Sequence, residues 1–180
     1  MKKIFQLAFV ALIAVAMNSC NGGNGGNEQK STDNAANDQQ EQVAEAQGTT
    51  FEGANFTITY PEILKESFKT ETTINARNED GVKMDASFSK SPCKPDDFKT
   101  YYTNLTGMQM WKDYKFEDAK IEGNILTFKG ENPDKKVAIT QFVVYLDENG
   151  GVAGKVEYPL DKASEIEPLI MPMLKSIKKK

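Results

Sequence analysis

Apolar and polar residues begin to alternate near residue 49 and continue to the C-terminus, whereas the stretch before it shows no such pattern. In Ala54–Tyr60 (ANFTITY), Phe56, Ile58 and Tyr60 fall on one face and Asn55, Thr57 and Thr59 on the other, the period of a half-buried strand, and Pro61 stops it. Phe68–Arg77 predicts a second strand, with threonines marking partial exposure. Asn78–Gly81 (NEDG) predicts a hairpin turn, and Val82–Lys90 a third strand with Val82, Met84, Ala86 and Phe88 on one side. The period changes over Pro95–Asp113, where Phe98, Tyr101 or Tyr102, Leu105 and Met108 recur at helical spacing. Pro95 suits the first helical position, and Asp96 with Asp97 suits the positive end of the helix dipole. Gly107 weakens the second half of that helix.

Strands return at Phe116–Ile121 and Asn124–Gly130, a hairpin about Glu122-Gly123. Lys136–Leu146 (KVAITQFVVYL) is the most apolar segment and is expected to lie inside the sheet. Asp147–Gly151 (DENGG) reads as a turn, with Asn149-Gly150 able to take positive φ, and Gly151–Tyr158 returns. Ala163–Lys178 predicts a second helix, with Ile166, Leu169, Ile170, Met173, Leu174 and Ile177 as its apolar stripe. Ser164 and Glu167 have capping-box spacing, and the interior Pro172 should kink the axis. The final Lys178, Lys179 and Lys180 read as a solvated tail.

Three strands, a helix, four strands and a helix make an α+β domain built on an antiparallel sheet. Helices on opposite faces would give an α/β/α sandwich; both on one face would give two layers. The opening FTITYPE strand, the helix carrying Phe98 and Tyr101-Tyr102, and the closing MLKSIKKK resemble the PsbP/Mog1-like group over residues 50–178. That group includes small bacterial lipoproteins of unknown role. The resemblance implies an antiparallel β-sheet flanked by helices as an α/β/α sandwich, and binding or assembly roles without catalysis. It supplies no site residues, and the metal chemistry of the photosystem members has no histidine here to receive it.

Ahead of the domain, Lys2 and Lys3 precede an apolar run from Ile4 to Met17, then Asn18, Ser19 and Cys20. At 1.5 Å per residue such a run of about 14 residues falls short of a hydrocarbon core of roughly 30 Å, and its flanks are those of a secretory signal. The cysteine after a short polar pair resembles the bacterial lipobox, although Met17 stands where that motif prefers Leu. The resemblance implies cleavage after residue 19 and acylation of Cys20. Asn21, in place of Asp, implies the outer membrane by analogy with proteobacterial sorting. Residues 21–48 contain no aromatic side chain and are dominated by Gly, Asn, Gln and acidic residues, a disordered tether with an r.m.s. span of roughly 30 Å. The expected organisation is a signal peptide over 1–19, a lipidated Cys20 and tether over 20–48, and one globular domain over 49–180.

The formal net charge is −4, and loss of residues 1–19, which carry Lys2 and Lys3 and no acid, makes it −6. An acidic chain without a basic patch is a poor partner for nucleic acid. Among 180 residues there is no histidine, which removes the commonest general base and metal ligand. With Cys20 acylated, Cys93 is the one free thiol, so neither an internal disulfide nor a zinc site is expected; no cofactor and no metal are expected either.

Three patterns remain as candidate sites. Cys93, between Lys90 and Lys94 and just before a helix start, has the setting of a thiol of lowered pKa and redox reactivity. Trp111 and Tyr114, with Tyr101 and Tyr102, offer an aromatic group that either closes a core edge or makes an interaction surface. Asp96, Asp97, Glu117, Asp118 and Glu122 are carboxylates whose spacing brings no two together for acid–base work. The leading expectation is a non-enzymatic, membrane-anchored envelope lipoprotein that binds a protein partner. Its rivals are a carrier whose sheet–helix cleft, lined by Met108, Met110, Met171 and Met173, holds a small apolar ligand, and a redox protein using Cys93.

Overall fold

In the computed structural model, which describes residues 46–180, the strands are β1 (Thr49–Glu52), β2 (Phe56–Tyr60), β3 (Lys65–Lys69), β4 (Thr73–Arg77), β5 (Lys83–Ser89), β6 (Lys115–Phe116), β7 (Lys120–Glu122), β8 (Ile125–Asn132), β9 (Val137–Asp147), β10 (Gly150–Pro159) and β11 (Lys178–Lys179). The helices are α1 (Phe98–Thr106) and α2 (Ala163–Lys175). The expected signal peptide, Cys20 and the expected tether up to residue 45 lie outside the described residues.

Eight strands form one antiparallel sheet in the order β3-β4-β5-β10-β9-β8-β6, with β7 also paired to β8; β1, β2 and β11 form a second. Strand alternation divides the large sheet cleanly. One face carries Ile74, Met84, Ala86, Val156, Phe142, Val144 and Ile125, which pack with Phe56, Ile58 and Tyr60 of β2 and with Ile166, Ile170, Met173 and Leu174 of α2 into the main core. The opposite face carries Leu126, Phe128 and Val143, which pack with Phe98 of α1 into a second, smaller core. The layers are therefore α1, the large sheet, and α2 with the small sheet: the α/β/α arrangement of the antiparallel α+β class. Residues 138–144 of β9 are buried throughout, as an interior strand covered on both faces requires.

Several sequence expectations are corrected. Phe68–Arg77 is two strands, β3 and β4, because Thr70–Thr72 turn: the Thr70 amide donates to Thr73 O at 2.9 Å and the Thr72 amide to Thr70 Oγ1 at 3.2 Å. Ser164 does not cap α2. The chain enters the helix from a 3-10 turn over Leu160–Lys162, so Ser164 lies within the first turn and Glu167 is free to reach the sheet. The helix continues through Pro168 and Pro172 and ends at Lys175. The C-terminal lysines are not a free tail: Lys178 and Lys179 pair with Thr57 and Phe56 as β11, Lys179 is ion-paired with Asp147, and Lys180 reaches Glu52 at 3.4 Å. Ser176 fixes that tail, its hydroxyl oxygen accepting the Thr59 amide at 2.9 Å and its proton shared between Met173 O at 2.6 Å and Thr59 O at 3.2 Å.

Candidate functional site

On the α1 face, a 3-10 turn at Pro95–Asp97 leads into α1, and the helix stops at Gly107, whose amide donates to Thr103 O at 3.1 Å. Met108 is extended, and a further 3-10 turn over Gln109–Trp111 carries the chain back to the sheet. The helix is thus shorter than the Pro95–Asp113 periodicity suggested. From there the aromatic rings run continuously into the core. Trp111 meets Tyr114 edge-on at 5.2 Å and Phe116 at 6.1 Å; Phe116 lies 5.9 Å from Phe128, which meets Tyr102 edge-on at 5.2 Å. Gly130 admits this packing, since a Cβ there would come within 2.5 Å of the Phe116 ring. The Tyr102 hydroxyl donates to Glu117 O at 3.1 Å.

All four aromatic residues expected from the sequence are therefore brought into one assembly, with Tyr101 packed into the same cluster. They are half-buried and close the second core. Phe116 and Phe128, not singled out from the sequence, connect them. The turn that leads into Trp111 carries Met108, 50 % exposed, and Met110, 70 % exposed.

Cys93 packs against this cluster, half-buried, with its thiol 3.6 Å from Lys94 O. Burial, and then the Asp97 carboxylate, push its pKa up, opposite to the expectation drawn from Lys90 and Lys94. The flanking lysines have the right charge, but the sulfur is turned into an apolar setting next to an acid. Cys93 is expected to react with a thiol reagent at neutral pH more slowly than a free model thiol and to reach the model rate on unfolding. A faster reaction in the folded state would contradict this placement.

Beyond the aromatic assembly the same face carries polar and charged side chains over β4, β5 and β10, most of them half-buried. The register places Asn75, Asp85, Lys155 and Gln141 in one cross-strand row and Arg77, Lys83 and Glu157 in the next. Lys83 pairs with Glu157 at 2.8 Å and Lys155 with Asp85 at 3.8 Å. Tyr114 borders this area; burial and then Glu157 raise its hydroxyl pKa against the opposing effect of Lys83.

On the α2 face, a cleft of about 280 Å³ opens between the β8 edge and α2. Lys129 crosses its end, 2.8 Å from both Glu131 and Glu167 and 3.8 Å from Glu117. Burial alone would lower the Lys129 ammonium, but its hydrogen bonds to Glu131 and Glu167 outweigh that and hold it well above the ordinary lysine value. The buried Tyr158 hydroxyl donates to Glu167 at 3.2 Å and lies 3.2 Å from the Thr140 hydroxyl, which ties α2 to β9 and β10. Glu117, Asp118 and Glu122 all line this cleft, so three of the five scattered carboxylates border one space without gathering into a cluster. The methionines do not: Met171 lines the cleft, Met173 is in the main core, and Met108 and Met110 are across the sheet. The expected lining of four methionines is thereby corrected: this sheet–helix cleft has a charged rim and one methionine of the four.

Burial pushes the Tyr158 phenol up to about 12. The unfolded chain gives up this proton first, near pH 10, so the stability it contributes is complete below pH 10 and lost between pH 10 and 12, at no more than about 1.4 kcal/mol per pH unit. Lys129 acts in the same direction. Tyr158→Phe is expected to flatten the alkaline decline of the melting temperature; an unchanged slope would contradict the buried, protonated phenol.

No family model and no curated protein sequence matches the chain. Solved structures share its fold. The Saccharomyces cerevisiae Ran-binding protein Mog1p is 15% identical with a TM-score of 0.52, and the match covers 74% of this chain and 95% of that one. A point mutant of Mog1 matches at 15% identity and a TM-score of 0.51, over 73% of this chain and 95% of its own. Cyanobacterial PsbP from Synechocystis matches at 11% identity and a TM-score of 0.48, over 77% and 96% of the two chains. The domain has the PsbP/Mog1-like fold, and at these identities the likeness carries the fold alone.

Proposed function

We propose that this chain is a non-enzymatic protein-binding module, held at the bacterial outer membrane by acyl chains on Cys20, and that it meets its partner through the end of α1. The observation that carries the reading is the pair Met108 and Met110, exposed by half or more on the turn whose Trp111 interlocks with Tyr114 and Phe116. Methionine adapts its shape to a partner at low cost, and a rigid aromatic base limits the entropy lost on contact. The charged half-face beside it supplies a polar rim. A protein of this fold is described as Ran-binding, so the architecture is compatible with a protein partner. The membrane anchor rests on the Lys2-Lys3, apolar-run and Cys20 pattern.

The test is the double variant Met108→Asp, Met110→Asp in the full chain, produced in its native host. Both sites are exposed, so melting should move by no more than about 0.5 kcal/mol in stability. Crosslinked complexes formed by the unaltered chain in intact cells should disappear. Their persistence at full yield would sink the interface. Cys20→Ser tests the anchor separately and should move the chain from the membrane fraction to the soluble one.

A further inference from the structure

We propose that the polar half of the α1 face of the large sheet binds a neutral oligosaccharide, one sugar ring lying on Phe68 and the hydroxyls beyond it meeting the side-chain amides of Asn75 and Gln141. Sugar binding here does not rest on the protein-binding reading at Met108 and Met110.

Strand register builds the site. Phe68 of β3 stands opposite Asn75 of β4, Asn75 opposite Asp85 of β5, Asp85 opposite Lys155 of β10, and Lys155 opposite Gln141 of β9. Directly opposed residues share a sheet face, so these side chains form one row across the strands. Gln141 is 8 % exposed, and its Nε2 has no hydrogen-bond partner; Asn75 Oδ1 is likewise buried and unpartnered. Among the described residues these are the two buried side-chain atoms left without a partner, and both belong to this row. Buried polar atoms in folded proteins are normally partnered. At about 4.8 Å per strand the backbones of Asn75 and Gln141 are roughly 14 Å apart, so the two amides do not satisfy each other.

The chemistry of the two atoms selects the ligand. One is a donor and the other an acceptor. A cation would meet only Asn75 Oδ1 and an anion only Gln141 Nε2, whereas a hydroxyl both gives and takes a hydrogen bond and meets either amide. Reaching both takes an elongated chain of hydroxyl-bearing units. Charge on the face is largely paired: Lys155 faces Asp85 at 3.8 Å, and in the next row Lys83 holds Glu157 at 2.8 Å. The exposed Arg77 adds donors that also suit hydroxyls. Both unpartnered atoms are closed to solvent, and the pair standing between them is the loose one. The Lys155 and Asp85 side chains are each more than a third exposed, so parting them costs little. Swung outward, Asp85 opens the way to Asn75 and Lys155 the way to Gln141, and each offers a sugar hydroxyl a charge-assisted hydrogen bond. Phe68, 54 % exposed beside Asn75, supplies a ring face for the C–H side of a pyranose.

The test follows the side-chain amide resonances of Asn75 and Gln141 by NMR while the full chain is titrated with maltohexaose, cellohexaose, xylohexaose and mannohexaose, each against its monosaccharide and against sodium phosphate. At least one hexasaccharide should move both resonances saturably and bind at least about tenfold more tightly than its monosaccharide. Gln141→Leu should abolish that binding while the melting temperature holds or rises, because an unpartnered buried polar group gives way to an apolar one. Phe68→Ala, at an exposed position, should weaken binding several-fold at an unchanged melting temperature. Met108→Asp, Met110→Asp should leave it intact, which separates the sugar site from the protein-binding surface. No movement with any hexasaccharide, affinity no better than that of the monosaccharide, saturation of both resonances by phosphate alone, or full binding by Gln141→Leu would each overturn the proposal.

Discussion

Gly154→Ala is expected to cost about 3 kcal/mol of stability, which in a domain of this size lowers the melting temperature by roughly 10 °C. Intrinsic preference points the other way, since alanine in a strand interior is favoured over glycine by about 0.5–1 kcal/mol. Sterics decide the sign. Gly154 lies mid-strand in β10, between Ala86 of β5 and Phe142 of β9. A Cβ there would overlap the backbone carbonyl of Asp85 and come within 2.7 Å of the Phe142 ring. The ring can move; the carbonyl belongs to the adjoining strand and cannot move without breaking the ladder. Combining the change with Phe142→Leu should therefore restore little. A Gly154→Ala protein melting within a degree or two of the unaltered one would contradict the close approach of β5 and β10.

Phe128→Ala should cost about 3–5 kcal/mol and act mainly on one layer. Phe128 is almost wholly buried and is the ring through which Tyr102 of α1 and Phe116 of the aromatic assembly meet. The second core has four fully buried members, so the loss of one leaves α1 with little to pack against. Amide exchange should accelerate in Phe98–Thr106 well before it does in Ala163–Lys175, and the near-ultraviolet signal of Trp111 should weaken. Equal acceleration in both helices would show that the two cores are not separate, against the division by sheet face.

The strands were legible wherever apolar alternation was long and bounded by turn residues. Asn78–Gly81 turns as expected, with Asn78 Oδ1 accepting the Val82 amide at 2.9 Å, and Gly123 takes φ of 58° in the following hairpin. The turn between β3 and β4 was invisible because Thr70–Thr72 offers no glycine, proline or asparagine and is held by a threonine hydroxyl. β1 and β11 were missed for another reason. They are short, mostly exposed and lysine- or threonine-rich, and they are strands only because β2 pairs with them from both sides.

The candidate site divides in the same way. The aromatic residues around α1 were found because they are close in sequence and share a period. The cleft was not, because its Lys129–Glu167 pair joins a strand to a helix 38 positions away, and spacing along the chain carries no trace of that. Cys93 shows the limit of reading charge from neighbours in sequence. Lys90 and Lys94 flank it, yet burial and Asp97 set its protonation.

Site-specific photocrosslinking in intact cells tests the protein-binding surface most directly. A benzophenone side chain would replace Met110 in one full-length chain and Ile63, also exposed, in another; Ile63 lines an apolar hollow against α2 on the other side of the sheet. Illumination should yield a discrete adduct of one mass from position 110 and none from position 63. Adducts from position 63 alone, or in equal yield from both, would contradict a contact surface at the end of α1.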